Sequence, residues 1–301
     1  MQNIRIISTP FQSGSDRAGG GMAPEWLLRN GIGTYADQAP IWVSMLPTQV
    51  NEIAPQFGIK NYDNVIEMAQ NLRGVISEHY QSGVRVVTLG GDHSIALGSI
   101  AGVLQNEANV GVIWFDAHGD VNTEATSPSM NAHGMPVAAL LGLCKSGIND
   151  IAITHLRKQN IFWIGARDLD PGEIEILSHP YAQGESGCMM DNVYTTDYIH
   201  HKGMQCVMED IKHKMGRRNI PAVHLSFDID GMDPSVVWAT GTRVERGLLQ
   251  EDLDKFINNL QILPPLQSMD FVEYNPILDD EEHTTGIWCV KTLSRIIEYM
   301  K

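Results

Sequence analysis

Short apolar, β-branched runs alternate along the chain with segments of helical spacing. The runs predict β-strands, and they are NIRIIST (3–9), VRVVTLGG (84–91), VGVIWFD (110–116), NIFWIGARD (160–168), AVHLSFDID (222–230) and LQSMDFVEYN (266–275). They are nearly continuous in apolar residues, which is typical of parallel strands covered on both faces. Strands that alternate with helices indicate βαβ units. We therefore predict an α/β fold, a doubly wound and mostly parallel sheet with helices on both faces.

Two of the intervening segments carry clear helix signals. PEWLLRNG (24–31) places Pro24 in the first turn of a helix and Gly31 at its end. Between residues 64 and 80, apolar side chains recur at helical spacing, and Gly83 follows as a stop signal. These apolar side chains are Val65, Met68, Leu72, Val75 and Ile76.

Nothing in the pattern divides the chain into parts. There is no internal repeat, no low-complexity tract and no long linker, so we predict a single domain over residues 1–301. The polar segment AQGESGCMMD (182–191) contains glycine and is interpreted as a surface loop.

Acidic and imidazole side chains follow the predicted strands at their carboxyl ends. They are Asp92, His93, Asp116, His118, Asp120, Asp168, Asp170, Asp228, Asp230 and Glu273. Within WFDAHGDVN (114–122), the acidic and imidazole groups occupy alternate positions, whose side chains point to one face of an extended chain. Ligand sites in open α/β sheets lie beyond the carboxyl ends of the strands. We therefore expect these groups to converge, and like charges held so close need a neutralising partner.

Composition narrows the class of protein. A content of 43% hydrophobic and 19% charged residues is that of a globular chain, and a net charge of -15 argues against a nucleic-acid partner. The four cysteines are scattered, which predicts reduced thiols. The first residues lack the apolar core of a signal peptide, and no run of about 18 apolar residues occurs. We expect a cytoplasmic protein without a membrane partner.

Six of the strand-end groups are natural ligands for divalent ions. They are Asp116, Asp120, Asp228, Asp230, His93 and His118. Four carboxylates against two imidazoles favour an oxygen-preferring ion such as Mn²⁺ over structural zinc. Six ligands are too many for one catalytic ion with an open position. They suit two ions that share bridging carboxylates, a geometry that lowers the pKa of a bridging water.

Three motifs carry a family resemblance. GGDHS (90–94), DAHGDVN (116–122) and SFDIDGMDP (226–234) resemble the signature motifs of the ureohydrolase family, which includes arginase and agmatinase. The resemblance extends over nearly the whole chain and includes PFQSG, IGARDLDPGE and EYNP. It implies the three-layer sandwich of the arginase/deacetylase type.

The resemblance also implies a binuclear manganese site. One ion would be held by His93, Asp116, Asp120 and Asp228. The other would be held by Asp116, His118, Asp228 and Asp230. In this interpretation Asp116 and Asp228 bridge the two ions.

The implied reaction is hydrolysis of a guanidinium group to urea and an amine by a metal-bridging hydroxide. Nearby carboxylates, Asp120 among them, would stabilise the tetrahedral intermediate together with the ions. His133, thirteen residues after Asp120, matches the family's proton-shuttle histidine, and its ordinary pKa suits that role. Glu273 matches the buried glutamate that anchors the guanidinium by a charge-assisted pair.

The motifs resemble arginase more than agmatinase. The positions that recognise a substrate carboxylate correspond to Asn122, Ser129 and Asn131, and those that recognise its ammonium correspond to Asp170 and Glu173. L-Arginine, cleaved to L-ornithine and urea, is therefore the favoured substrate. Hydrolysis of agmatine, a guanidino acid or formiminoglutamate stays open, as does a non-catalytic metal-binding relative. The resemblance further implies a homo-oligomer, a trimer or hexamer.

One loop departs from the arginase pattern. WATGTRVERGL (238–248) keeps Thr242, a predicted substrate residue, but has Arg243, Glu245 and Arg246 where arginases usually have Pro, Val and Gly. A cationic side chain here either contacts the carboxylate of a different substrate or points to solvent or a neighbouring subunit. If the glycine at position 246 needs a positive φ, the local backbone is expected to differ.

Overall fold

An eight-stranded sheet forms the centre of the computed structural model, which describes residues 3–43, 55–81, 84–181 and 186–301. Its strands are β1 (Ile4–Thr9), β2 (Ile41–Trp42), β3 (Arg85–Gly90), β4 (Gly111–Phe115), β5 (Ile161–Ile164), β6 (Val193–Tyr194), β7 (Val223–Asp228) and β8 (Leu266–Val272). Each of the six predicted runs forms a strand. The edge strands β2 and β6 were not predicted, because two residues are too few to show a pattern.

The strands lie in the order β2-β1-β3-β8-β7-β4-β5-β6, and every described pair is parallel. The predicted doubly wound α/β fold is confirmed. The chain crosses from β3 to β4 and returns later to insert β7 and β8 between them. The carboxyl ends of these four central strands therefore meet at one edge, at the point where the winding changes direction.

Helices cover both faces of the sheet. They are α1 (Ala23–Arg29), α2 (Tyr62–Gln81), α3 (Ala96–Leu104), α4 (Pro136–Leu140), α5 (Pro171–Ser178), α6 (Thr196–Lys202), α7 (Met204–Arg217), α8 (Gln250–Asn259) and α9 (Thr284–Met300). Both predicted helices are present, and Gly31 follows the end of α1 at φ 126°. The predicted stop at Gly83 lies outside the described residues.

Alternation along the central strands divides the interior into two cores. In β4, Ile113 and Phe115 belong to the core beneath α7, α8 and α9, whereas Val112 and Trp114 belong to the core beneath α2 and α3. Successive side chains of a strand point to opposite faces, so a continuous apolar run fills both cores. This arrangement is the predicted three-layer sandwich.

The segment 182–191 is only partly a loop. Residues 182–185 lie outside the described part of the chain, and Met189–Asn192 forms a 3-10 turn that leads into β6. The backbones of Pro180 and Cys188 form an isolated antiparallel β-bridge. Among the helices of the described residues, none is long and apolar enough to cross a membrane.

Candidate metal centre and substrate pocket

His93 brings together the first group of predicted metal ligands. Its Nδ1 lies 2.9 Å from Asp116 Oδ2, 3.1 Å from Asp120 Oδ2 and 3.2 Å from Asp228 Oδ2. These residues follow β3 and β4 or end β7, so the sheet edge assembles the group as the sequence predicts. All are buried.

The orientation of the His93 ring places its Nδ1 among three carboxylates. His93 Nε2 lies 2.8 Å from the Ser226 hydroxyl, which is in turn 3.5 Å from Asp270 Oδ2. The stacked indole of Trp114, 4.1 Å away, holds the ring plane. Nδ1 then faces the three carboxylates without a well-directed hydrogen bond of its own. An imidazole nitrogen buried among three carboxylates is unfavourable unless a positive charge lies between them, and a divalent ion supplies that charge, so the residues fit such an ion.

His118 gathers the second group. Its Nδ1 lies 3.2 Å from Asp116 Oδ1 and 3.3 Å from Asp230 Oδ2. Asp116 therefore presents one oxygen to each imidazole, which is the geometry of a bridging carboxylate. Asp228 contacts His93 directly, but it reaches the second group through its Oδ1, which accepts from the backbone N–H of Asp230 at 2.8 Å.

Backbone and indole donors hold the carboxylates in place. The N–H of His118 donates to Asp116 Oδ1 at 2.7 Å, and Trp114 Nε1 donates to Asp116 Oδ2 at 2.9 Å. Asp120 adopts φ 50°, a left-handed conformation that non-glycine residues rarely occupy outside special sites. The fold itself therefore orients these carboxylates.

The electrostatics of the cluster favour positive charge. Burial works to lower the pKa of His93 and His118, but the surrounding carboxylates raise both pKa values well above the usual range. Burial and the neighbouring Asp116 raise the pKa of Asp120 to about 6. Burial also raises the pKa of Asp228 well above its ordinary value, with Asp230 and Asp116 adding to the shift. Excess negative charge is therefore confined in a buried volume.

His133 lies beside the cluster and is held by Glu273. His133 Nδ1 is 3.3 Å from Glu273 Oε1, which also accepts from the backbone N–H of His93 at 2.8 Å. Although burial opposes the charged imidazole, the hydrogen bond and charge of Glu273 raise the pKa of His133 to about 9. Glu273 itself adopts φ 65°. The contact with Glu273 thus favours the protonated form of the imidazole.

A cavity of about 220 Å³ opens onto the cluster. Its walls contain all the predicted substrate residues: Asn122, Ser129, Asn131, Asp170, Glu173 and Thr242. His118, Asp120, Asp228 and His133 also line it. A neighbouring cavity of about 330 Å³ shares Asn131, His133 and Thr242 and adds Glu273.

The acidic wall of the cavity is built on the start of α5. Glu173 accepts from the N–H groups of Val121 at 3.1 Å and Asp170 at 3.0 Å, in a capping box. Burial and Asp120 raise the pKa of Glu173 to about 8. Asp170 Oδ2 accepts from Asn122 Nδ2 at 2.8 Å, so the two predicted recognition clusters are joined. Thr242 donates to the ligand Asp230 at 3.0 Å.

Comparison with known proteins decides the family. A model described as the arginase family matches residues 2–297. The chain belongs to the arginase family. It is 37% identical over 297 residues to an arginase of Brevibacillus brevis, which covers 95% of each chain. Members of this family are hydrolases that act on C–N bonds of guanidino compounds, and the predicted ureohydrolase resemblance is confirmed.

Solved structures of the arginase family share the architecture. The arginase of Bacillus caldovelox superposes with a TM-score of 0.88 at 32% identity, covering 99% of this chain and 98% of that one. The arginase of Entamoeba histolytica, solved in complex with L-ornithine, gives 0.85 at 32% identity and covers 98% and 99%. The fold of this chain is therefore that of the arginases.

Three residues to which the sequence pattern assigned no individual role support the site. Asp92 Oδ2 accepts from the N–H of Gly14 at 2.7 Å and so fixes the N-terminal loop over the cluster. Gly91 is required because a Cβ would lie 1.8 Å from the carbonyl oxygen of Phe11. Alternation in VHLSFDID could have identified Ser226, which lies two positions before Asp228 and therefore on the same face.

In the unusual loop after the third motif, the three side chains that depart from the arginase pattern lie outside the cavity. Arg246 is exposed and pairs with Asp197 at 2.8 Å, and Arg243 and Glu245 are also exposed. None of the three lines the cavity over the metal ligands. Arg246 has φ 64°, so the left-handed backbone that glycine favours is adopted by arginine here.

Proposed function

We propose that this protein is an arginase that hydrolyses L-arginine to L-ornithine and urea with two Mn²⁺ ions. One observation carries the proposal: a buried carboxylate-imidazole cluster adjoins a cavity that has neutral polar groups on one side and acidic groups on the other. Its amide and hydroxyl groups suit a carboxylate, and its acidic wall suits an ammonium. Relatives named arginase, at 33% and 37% identity over nearly full length, support it.

His93, Asp116, Asp120 and Asp228 would hold one ion, and Asp116, His118, Asp228 and Asp230 the other. When bound, two divalent ions supply Lewis-acid activation of water near neutral pH. Four carboxylates in the set favour Mn²⁺ over zinc.

The other polar groups position the guanidinium and move a proton. Glu273 forms a charge-assisted pair with the guanidinium, while its Oε1 contact keeps the His133 ring in place. His133 gives its proton to the leaving amine, because its pKa of about 9 keeps it protonated at neutral pH. Asp120, a ligand and a wall of the cavity, helps to stabilise the developing charge.

Substrate recognition follows from the two walls. Asn122, Ser129 and Asn131 receive the α-carboxylate, and Asp170 and Glu173 receive the α-ammonium. Thr242 holds Asp230 and forms part of the wall between the two cavities. A single catalytic domain over residues 1–301, a trimeric or hexameric assembly and a cytoplasmic location complete the proposal.

The test is product release by the Mn²⁺-loaded protein with a panel of substrates. Urea is measured for arginine, agmatine and guanidinobutyrate, and formamide for formiminoglutamate, with chelator-treated protein as the control. We expect turnover of arginine at least about 100-fold more efficient than that of agmatine, because unpaired polar groups in the pocket penalise a substrate that lacks the carboxylate. Turnover of agmatine without turnover of arginine would overturn the proposal.

A further inference from the structure

The amide wall is the part of the cavity formed by Ser129 and Asn131. Lys60 lies behind this wall and belongs to neither predicted recognition cluster. Its Nζ donates to Asn131 Oδ1 at 3.1 Å and to Asp16 Oδ1 and Oδ2 at 2.9 and 3.0 Å. Its backbone N–H donates to the carbonyl of Met130 at 2.9 Å. The lysine therefore ties the loop before His133 to the N-terminal loop.

The contact determines which way the Asn131 amide faces. An ammonium has three donors and no acceptor, so only the amide oxygen can point towards Lys60. The Nδ2 group is then turned away from the lysine, and Asn131 is a buried residue that lines both cavities. An amide whose NH₂ faces a pocket offers a donor to a carboxylate, whereas the flipped amide would repel it.

Ser129 strengthens the same wall. Its Oγ accepts from the backbone N–H of Asn131 at 3.2 Å, which leaves the hydroxyl hydrogen free to donate. The wall thus presents hydrogen-bond donors without a buried cation of its own. Asp16 offsets the charge of Lys60, so the lysine acts through the amide rather than as a general attractor of anions.

We propose that Lys60 is a positioning residue that selects substrates with an α-carboxylate by fixing the Asn131 amide. Without Lys60 the Asn131 amide can rotate by about 180°. The site then loses its preference for substrates that carry a carboxylate over those with a hydrogen at the same carbon. This inference rests on the proposed arginase function and adds to it a specificity residue outside the cavity wall.

The test compares two inhibitors that differ by the carboxylate, L-ornithine and 1,4-diaminobutane, in Lys60→Met. We expect the inhibition constant of ornithine and the KM of arginine to rise about 10-fold, the value of one charge-assisted hydrogen bond. The inhibition constant of diaminobutane and the kcat should change less than about 2-fold. Lys255→Met, which removes an exposed ion pair with Glu251 on α8, is the matched control and should change none of these values.

A structural role for Lys60 would give a different result. An equal rise in the inhibition constants of both compounds, or a fall in kcat with unchanged KM, would overturn the proposal. If Lys60→Met does not fold, Asp16→Asn answers the same question, because it removes the charged partner that holds Lys60 in place. This variant should weaken the binding of ornithine selectively, by a smaller factor. Failure of the wild type to turn over arginine would instead contradict the proposed function, and the inhibitor comparison would not be reached.

Discussion

The metal cluster and the amide wall lie side by side but are held in different ways. The cluster ligands are attached directly to the ends of parallel strands, and backbone N–H groups fix their oxygens. The amide wall belongs to the loop of residues 127–131, where Ser129 is exposed and Asn131 depends on a lysine from a distant segment. In the proposed function, the reaction chemistry therefore depends on the sheet edge, and substrate choice depends on the loop above it.

This difference predicts two classes of variant. A change in the cluster should remove ions and with them all turnover, whatever the substrate. A change in the wall should leave the ions in place and alter only the affinity for substrates with a carboxylate. A cluster variant that keeps its ions and changes only substrate affinity, or a wall variant that loses ions, would contradict this division.

Asp116→Ala should have the largest effect, because Asp116 presents one oxygen to each imidazole. We expect loss of both ions and a fall in kcat of at least about 1000-fold. Asp228→Ala should do the same if Asp228 bridges. Metal content by plasma mass spectrometry and urea release check both. Asp197→Ala, at an exposed residue outside the cavity, is the control, and two ions retained by Asp116→Ala would refute the ligand assignment.

His133→Asn should keep the ions but lower kcat about 100-fold, as for loss of a general acid. The pH dependence has a defined sign. The wild-type imidazole donates only while protonated, so the ratio of wild-type to variant kcat should be largest below its pKa of about 9 and shrink above it. A ratio that grows between pH 9 and 10 would contradict the assignment.

Ser226→Ala tests how the ligand His93 is oriented. The variant leaves the buried Nε2–H without its acceptor, and loss of such a partner costs about 10- to 100-fold in metal affinity. Calorimetric titration with Mn²⁺ measures it. Ser99→Ala, which contacts Asp270 one step further from the ligand, should leave the affinity nearly unchanged. Equal effects of the two variants would show that the orientation of His93 does not depend on Ser226.

Asn131→Ala should affect only the wall. We expect the KM of arginine to rise about 10-fold, with metal content unchanged and kcat within about 2-fold. Steady-state kinetics and metal analysis of the same sample check it. A variant that loses metal would show that the wall and the cluster are not independent.

Arg246→Gly should have the smallest effect. The left-handed backbone conformation of Arg246 costs about 1 kcal/mol, and glycine removes this cost. The exposed ion pair with Asp197, which the variant loses, stabilises the fold by about 1 kcal/mol or less. The free energy of unfolding should therefore change by less than about 1 kcal/mol, and the KM of arginine should not change. An increase in the KM of arginine would show that the loop of residues 238–248 contacts the substrate through Arg246.

The same contrast explains what the sequence could predict. The cluster was predictable because each ligand follows an apolar strand, and parallel strands end at one edge. Lys60 was not, because its contact with Asn131 joins residues 71 positions apart through loops that have no periodic pattern. Asp270 was missed for a related reason: inside β8 it resembles a break in an apolar run, and only the neighbouring strand shows that it supports Ser226.

The most direct test of the account is a Mn²⁺ titration of the metal-free protein, with bound ions and arginine hydrolysis followed together. We predict saturation at two ions per chain in both the wild type and Asn131→Ala, with hydrolysis by the wild type rising as the sites fill. Saturation at a single ion, or full binding in Asp116→Ala, would contradict the claim that this sheet edge holds the catalytic centre.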